Sequence, residues 1–261
     1  MEEALSPKAM REKIRKNEWP GLTAGLTKGY VHAGVTILPR KEALDFMIFC
    51  QRNPQPFPVI DVTEEGSPEA RISAPGSDLR TDLPQYRVYE KGIMTAEVTD
   101  VKEIWRSDFV GFVLGCSFSF EEALLQAGIP VRNLEEKKNV PIYVTNKQCV
   151  PSRMFQGPLA VSMRPIHGSR ITDAIRITAK SPLTHGAPVH VGDPSVIGIK
   201  TLEHPDYGEA LTINNGELPC FWACGVTLQV IASQAKPELM ITQAPGHMFL
   251  TDIRNDQLAA Y

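Results

Sequence analysis

The segment HGAPVHVGDP places two imidazoles and a carboxylate, His185, His190 and Asp193, among turn-forming Gly186, Gly192 and Pro194. A loop or strand end of this composition can draw such groups together, and an imidazole beside a carboxylate serves general acid/base chemistry or metal binding. A pair of hydrogen-bonded structural histidines would have the same composition, so the segment by itself leaves both readings open. APGHMFLTDI sets His247 behind a Pro-Gly turn with Asp252 five residues on, joining the first cluster only if the fold brings them together. A metal centre from His185, His190, Asp193 or His247 is chemically feasible, but no HExxH or comparable ligand spacing is present and none is expected.

A second candidate is GCSFSFEEAL. The apolar run FVGFVLG ends at Gly115 and delivers Cys116, Ser117 and Ser119 to the start of a helix, whose free N–H groups would face an anion. Ser119 and Glu122 have the S-x-x-E spacing of a capping box, and Gly128 supplies the stop. Cys116 has no histidine tied to it by local spacing, so an inert buried thiol is expected there rather than a nucleophile. Arg164, in VSMRP, stands where a strand should end and can either grip a substrate carboxylate or close an internal ion pair. Glu217, in NGELP, lies on a turn-rich segment and is a further candidate contact. Cys220 and Cys224 flank Trp222 with three residues between them, which fits packing around the indole rather than a zinc or redox motif.

These groups need a scaffold. Ser6-Pro7 predicts a helix start, with the basic residues that follow forming a solvated face. YVHAGVTILP reads as a strand, RKEALDFMIFCQRN as a helix and FPVIDVT as a buried strand, an order that predicts parallel pairing. QYRVYEKGIMTAEV reads as a hairpin turning at Lys91-Gly92, and Asp100 as the cap of a short helix ending near Trp105. After Gly128 the pattern shifts. VPIYVT and GPLAVSMRP read as strands, SRITDAIRITAK fits helix or strand, and glycine and proline recur from Pro182 to Pro205. EALTIN and ELPCFWAC flank a hairpin-like Asn214-Asn215-Gly216 turn, followed by a helix in GVTLQVIASQAK and a strand in ELMITQ.

At 261 residues the chain has ample length for a core, and its net charge of −3 gives no field for nucleic acid. Five cysteines without a CxxC pair point to reduced thiols in a cytoplasm. No stretch reads as a signal peptide or membrane span. A small-molecule partner is expected, and a homo-oligomer would be ordinary.

Taken together, GCSFSFEEAL, NVPIYVTN, GPLAVSMRP, HGAPVHVGDP, PDYG, GELPCFWACGVT and APGHM resemble the D-glutamate cyclase family, whose bacterial members are labelled hydro-lyases. The resemblance spans essentially the whole chain. It implies an α/β fold in which a larger three-layer α/β/α domain, residues 1–128 plus 218–261, is interrupted by a smaller two-layer α+β domain at 129–217. The chain departs from the family pattern at YVHAG, where the pattern reads YVQAN, and at YVTN, where it reads YRTN. Val144 thereby lacks an arginine that would hold a carboxylate.

The expected function is a cofactor-independent hydro-lyase acting on a small amino- or hydroxy-carboxylate, D-glutamate closing to 5-oxo-D-proline being the reaction the resemblance implies. His185 and His190 would be acid and base, with Asp193 orienting one of them. Cys116, Ser117, Ser119, Arg164, Glu217 and His247 would contact substrate. A small-carboxylate binding protein and a metal-dependent hydrolase linked to 5-oxoproline are the competing expectations.

Overall fold

The computed structural model describes residues 5–258. In chain order its elements are α1 (Pro7–Arg15), β1 (Tyr30–Pro39), α2 (Arg40–Arg52), β2 (Val59–Val62), β3 (Tyr86–Glu90), β4 (Ile93–Val98), β5 (Phe109–Gly115), α3 (Phe118–Gln126) and α4 (Arg132–Glu135). There follow β6 (Ile142–Gln148), β7 (Pro158–His167), α5 (Ile171–Ala179), β8 (His190–Val191), β9 (Glu217–Ala223), α6 (Thr227–Ala235), β10 (Leu239–Gln243) and β11 (Phe249–Arg254).

The strands form two sheets in a mixed α/β fold. The first runs β2-β5-β1-β10-β3-β4 with β11 also paired to β1, and the second runs β6-β7-β9-β8. Every pairing is antiparallel. The parallel pairing expected from the strand-helix-strand order around α2 does not form, because β5 inserts between β1 and β2 and bonds to both. β9 is the third strand of the second sheet, which therefore runs past residue 217 to Ala223.

β1 is the organising strand, buried from Val31 to Pro39. Its apolar residues face both sides: Leu38 packs with Phe46, Phe49 and Phe112 under α2, while Ala33, Val35 and Ile37 pack with Tyr86, Phe109 and Phe249. A strand covered on both faces reads as a near-continuous apolar run, which YVHAGVTILP is. Along one edge β1 pairs first with β11 and then with β10, and the chain crosses between these partners through Pro245-Gly246.

Several local expectations change in the folded chain. Ser6 caps α1 as expected, its Oγ accepting from the Ala9 amide at 3.2 Å, but Arg11 is buried and bonded to Asp252 and the Leu250 carbonyl, so the helix face is not wholly solvated. The S-x-x-E capping box does not form. α3 begins at Phe118 after Ser117, and Ser119 Oγ instead accepts from the His32 amide at 2.9 Å, tying the helix to β1. Asp100 accepts from Lys102 N at 3.2 Å in a turn, with no helix before Trp105. EALTIN has no strand, although Gly216 at φ 83 does make the turn into β9.

Candidate functional site

Two strand-to-helix junctions meet at one cleft. β5 ends at Gly115 and runs through Cys116-Ser117 into α3; β9 ends at Ala223 and runs through Cys224-Gly225-Val226 into α6. Both junctions line a cleft of about 600 Å³, its open mouth included, together with Gly34, Thr36, Gln243, His185 and Val140. Two helix N-termini at one cavity concentrate amide N–H groups and the positive ends of two helix dipoles, an environment that stabilises negative charge. The amides of Ser117 and Gly225 have no backbone acceptor among the described residues. Those of Phe118 and Val226 lie beside the Cys116 and Cys224 thiols.

The floor is built from the gap between β10 and β11. Where β10 ends, the Gln243 side-chain carbonyl accepts from the Val35 amide at 2.8 Å and replaces a ladder partner. That bond fixes which end of the side chain is the amide NH2, and its Nε2 has no partner among the described residues. A Cβ at Gly34 would lie 3.1 Å from this Nε2, so glycine there leaves the donor open to the cleft.

His185 closes the cleft. Its Nδ1 lies 2.7 Å from the Gln55 carbonyl. A carbonyl can only accept, so Nδ1 carries the proton and Nε2 presents a lone pair that makes no bond within the described residues. The ring is only 2% exposed, and burial pushes its pKa down to about 4, so the imidazole is neutral at ordinary pH. His185 also sits at φ 81, a left-handed conformation costly for a side chain with a Cβ. Part of the constraint is Gly115: a Cβ there would fall 1.7 Å from the Leu183 carbonyl oxygen, so only glycine lets the 182–186 turn lie against the end of β5.

The other expected site residues are dispersed. His190 is in β8, where its Nε2 donates to the Asp193 carbonyl at 2.7 Å and its ring lies 5.8 Å from that of Phe221. The Asp193 carboxylate accepts from the Ser195 amide at 2.9 Å. Neither lines the cleft with His185, because Ala187 to Val189 carry the chain away to the edge of the second sheet. Arg164 is buried and committed: Nε donates to Glu121 Oε1 at 3.0 Å, Nη2 to the same oxygen and to Ser117 Oγ, and Nη1 to Ser162 Oγ at 3.2 Å. Its guanidinium also stacks near Phe120 and Trp222. It is an internal ion pair that steadies Ser117, not an open carboxylate grip, since a buried guanidinium must keep its partners.

Glu217 accepts from Arg132 Nη2 at 2.6 Å and from the Asn214 amide, away from the cleft. His247, half-buried, lies with Nδ1 3.1 Å from the Pro245 carbonyl; its neighbours Gly246 and Met248 line the cleft, but it does not. Cys116 and Ser117 do line the cleft, whereas Ser119 is committed to β1. Burial pushes the Cys116 thiol up to about 12 and the Cys224 thiol up to about 11, as inert thiols require. Cys220 packs with Trp222 as expected, but Cys224 belongs to the cleft. Among the described residues no group of three or more His, Cys, Asp or Glu is placed to hold a metal ion, and no helix is long and apolar enough to cross a membrane.

Sequence reasoning missed Gln243, Gly34, Thr36 and the Cys224-Gly225-Val226 junction. One signal for the junction was present: CGVT, like GCSF, is a small-residue break between an apolar strand and a helix. Gln243 had none, because its role depends on a gap between two strands paired to a third.

The family model for D-glutamate cyclase matches residues 110–252, which contain both junctions and His185. A protein of Geobacillus kaustophilus named "Putative hydro-lyase" is 54% identical over 254 residues, covering 97% of each chain. YcsI of Bacillus subtilis, of the same designation, is 50% identical over 255 residues, covering 98% of this chain and 99% of its own. A Rubrobacter xylanophilus relative is 54% identical over 245 residues, 94% of this chain and 95% of its own. The chain thus belongs to a class of mixed α/β lyases. The chain is a member of the D-glutamate cyclase family.

Proposed function

We propose that the cleft between the two junctions is the active site of a hydro-lyase for a small amino-carboxylate, and that D-glutamate closing to 5-oxo-D-proline is the reaction. The observation that carries this reading is the neutral His185 whose Nε2 lone pair faces a cleft ringed by amide donors.

The chemistry has two requirements. The α-ammonium must lose a proton to become a nucleophile, and one oxygen of the side-chain carboxylate must leave as water. The C–N bond forms as the amine attacks the side-chain carboxyl carbon, and a C–O bond breaks. Two of the three ammonium protons end on the departing oxygen, so no proton enters or leaves overall. One group that accepts and returns a proton is sufficient, and a neutral imidazole does this without a cofactor.

The amides of Ser117 and Gly225 and the two helix dipoles would hold the carboxylates and the oxyanion of the tetrahedral intermediate. Gln243 Nε2 adds a side-chain donor. The apolar part of the wall, from Leu114, Val140, Ile142 and Met248, lowers the local polarity and so strengthens the hold of the amide donors on the oxyanion. His190 and Asp193 have no part in this scheme.

NMR of the purified protein incubated separately with D-glutamate, L-glutamate and 5-oxo-D-proline tests it. Conversion of the D-enantiomer and its product pair is expected. Conversion of none of the three would remove this substrate, and tight binding without conversion would make the cleft a recognition site.

A further inference from the structure

On the reading of the cleft as the active site, we infer that Gln243 sets its ligand class, the side-chain NH2 selecting an acid over an amine at the end of the ligand that does not react. Along β1, Ala33, Val35 and Ile37 pack on one face and Leu38 on the other, so Gly34 and Thr36 share the face of Leu38, and both line the cleft. Gln243 Nε2 hangs over that face, where a Cβ on Gly34 would come within 3.1 Å of it. Gln243 as a whole is 6% exposed, yet its unbonded Nε2 retains accessible surface, and the residue stands in the cleft lining.

The amide is held in place and cannot exchange its ends. Its Oε1 accepts from the Val35 amide at 2.8 Å, and a flip would set two donors against each other. The Gln243 carbonyl accepts from Gln229 Nε2 at 3.0 Å and from Thr242 Oγ1 at 3.1 Å. Gln229 is fixed in turn by Tyr89 and Arg87, whose side chains donate to its Oε1 at 3.3 and 3.1 Å. The donor is therefore preorganised, and little freedom is lost when it meets a ligand.

No Asp, Glu, Lys or Arg lines the cleft among the described residues, so oriented dipoles decide which sign of ligand group is accepted. Thr36 Oγ, also in the lining, can donate or accept and favours neither sign. A side-chain NH2 can only donate, so it bonds a carboxylate and leaves an ammonium facing hydrogens. Gly34 pairs with Leu114, the residue before the Gly115 against which the His185 turn rests. The imidazole and the NH2 are thus anchored on neighbouring strands about 5 Å apart, within the span of one short diacid. With His185 at the reacting carboxyl, Gln243 takes the second acid group, which in glutamate is the α-carboxylate.

Calorimetry on the full chain at pH 8, comparing glutarate with 5-aminopentanoate, tests this. The second ligand carries an ammonium in place of one carboxylate, and glutarate has no amine and cannot cyclise, so its binding is read apart from turnover. The native protein should bind glutarate about tenfold or more tightly, the scale of one charge-assisted hydrogen bond. Gln243→Glu keeps an oxygen for the Val35 amide and replaces only the donor. It should cut the preference for glutarate about 100-fold, roughly tenfold for the lost donor and tenfold for the like charge. Gln243→Met, which adds no charge, should cut it about tenfold and keeps the test decisive if Gln243→Glu folds poorly. Failure of glutarate to bind the native protein would remove the cleft as a carboxylate site, and the proposed function with it. Equal binding of the two ligands by the native protein, or a preference unchanged in both variants, would overturn the role of Gln243 alone.

Discussion

The two ends of the segment from His185 to Pro194 carry similar residues and meet different fates. His185 is buried in a strained backbone conformation, with one ring nitrogen tied to the Gln55 carbonyl and the other free in a cleft. Five residues on, His190 is half exposed, and its Nε2 closes a local turn by donating to the Asp193 carbonyl. Composition is the same at both ends. What differs is the backbone each is held against: Gly115 and the end of β5 for His185, the edge of the second sheet for His190. Each ring is bonded through one nitrogen, but only that of His185 stands in the lining of the cleft, where its second nitrogen is left for a ligand.

The largest expected effect follows from removing that lone pair. His185→Ala should lower turnover by ~100-fold or more while the protein remains folded, as circular dichroism and kinetics on one preparation would show. Gly115→Ala should come next. The Leu183 carbonyl would have to retreat from a new Cβ, and a displacement of about 1 Å at a catalytic group is enough for roughly 100-fold in rate, so kcat should fall with His185 itself untouched. Gln243→Leu removes both an open donor and the acceptor of the Val35 amide. It should raise KM by about tenfold and lower unfolding free energy by ~1–3 kcal/mol in urea titrations.

The pH dependence tests the burial of the imidazoles. His185 and His32 titrate near pH 4 when folded and near the ordinary 6.5 when unfolded. Between those values the unfolded chain binds protons that the folded chain refuses, so stability should decline as pH falls from about 6.5 toward 4. Urea midpoints at pH 7 and pH 4.5 would show it, and a higher midpoint at pH 4.5 would contradict the assignment. Over the same range kcat/KM should keep its His185-dependent activity down to about pH 5. The smallest effect belongs to the other end: His190→Ala should cost ~1 kcal/mol of stability and leave turnover within about twofold.

Much of the scaffold was legible because it rests on local pattern. The run YVHAGVTILP, the helix after it and the Lys91-Gly92 turn all follow from periodicity and turn chemistry, and SRITDAIRITAK resolves as helix α5, with its apolar residues on one side. The pairing was not legible. The insertion of β5 between β1 and β2 is a choice among strands far apart in sequence, and local pattern carries no information on it. The same limit governs the site. GCSF was recognisable as a strand-to-helix junction, but its partner CGVT lies more than a hundred residues away, and only the folded chain brings the two to one cleft. Arg164 shows the converse case. A conspicuous arginine at a strand end is committed to Glu121, on the helix that the candidate junction begins, and no spacing rule anticipates that pair.

The most direct test of His185 as the proton-transfer group is turnover of D-glutamate by the His185→Ala and His190→Ala proteins, measured side by side by NMR. The account predicts loss of 5-oxo-D-proline formation in the first and near-normal formation in the second. Equal activity in both, or loss confined to His190→Ala, would contradict it.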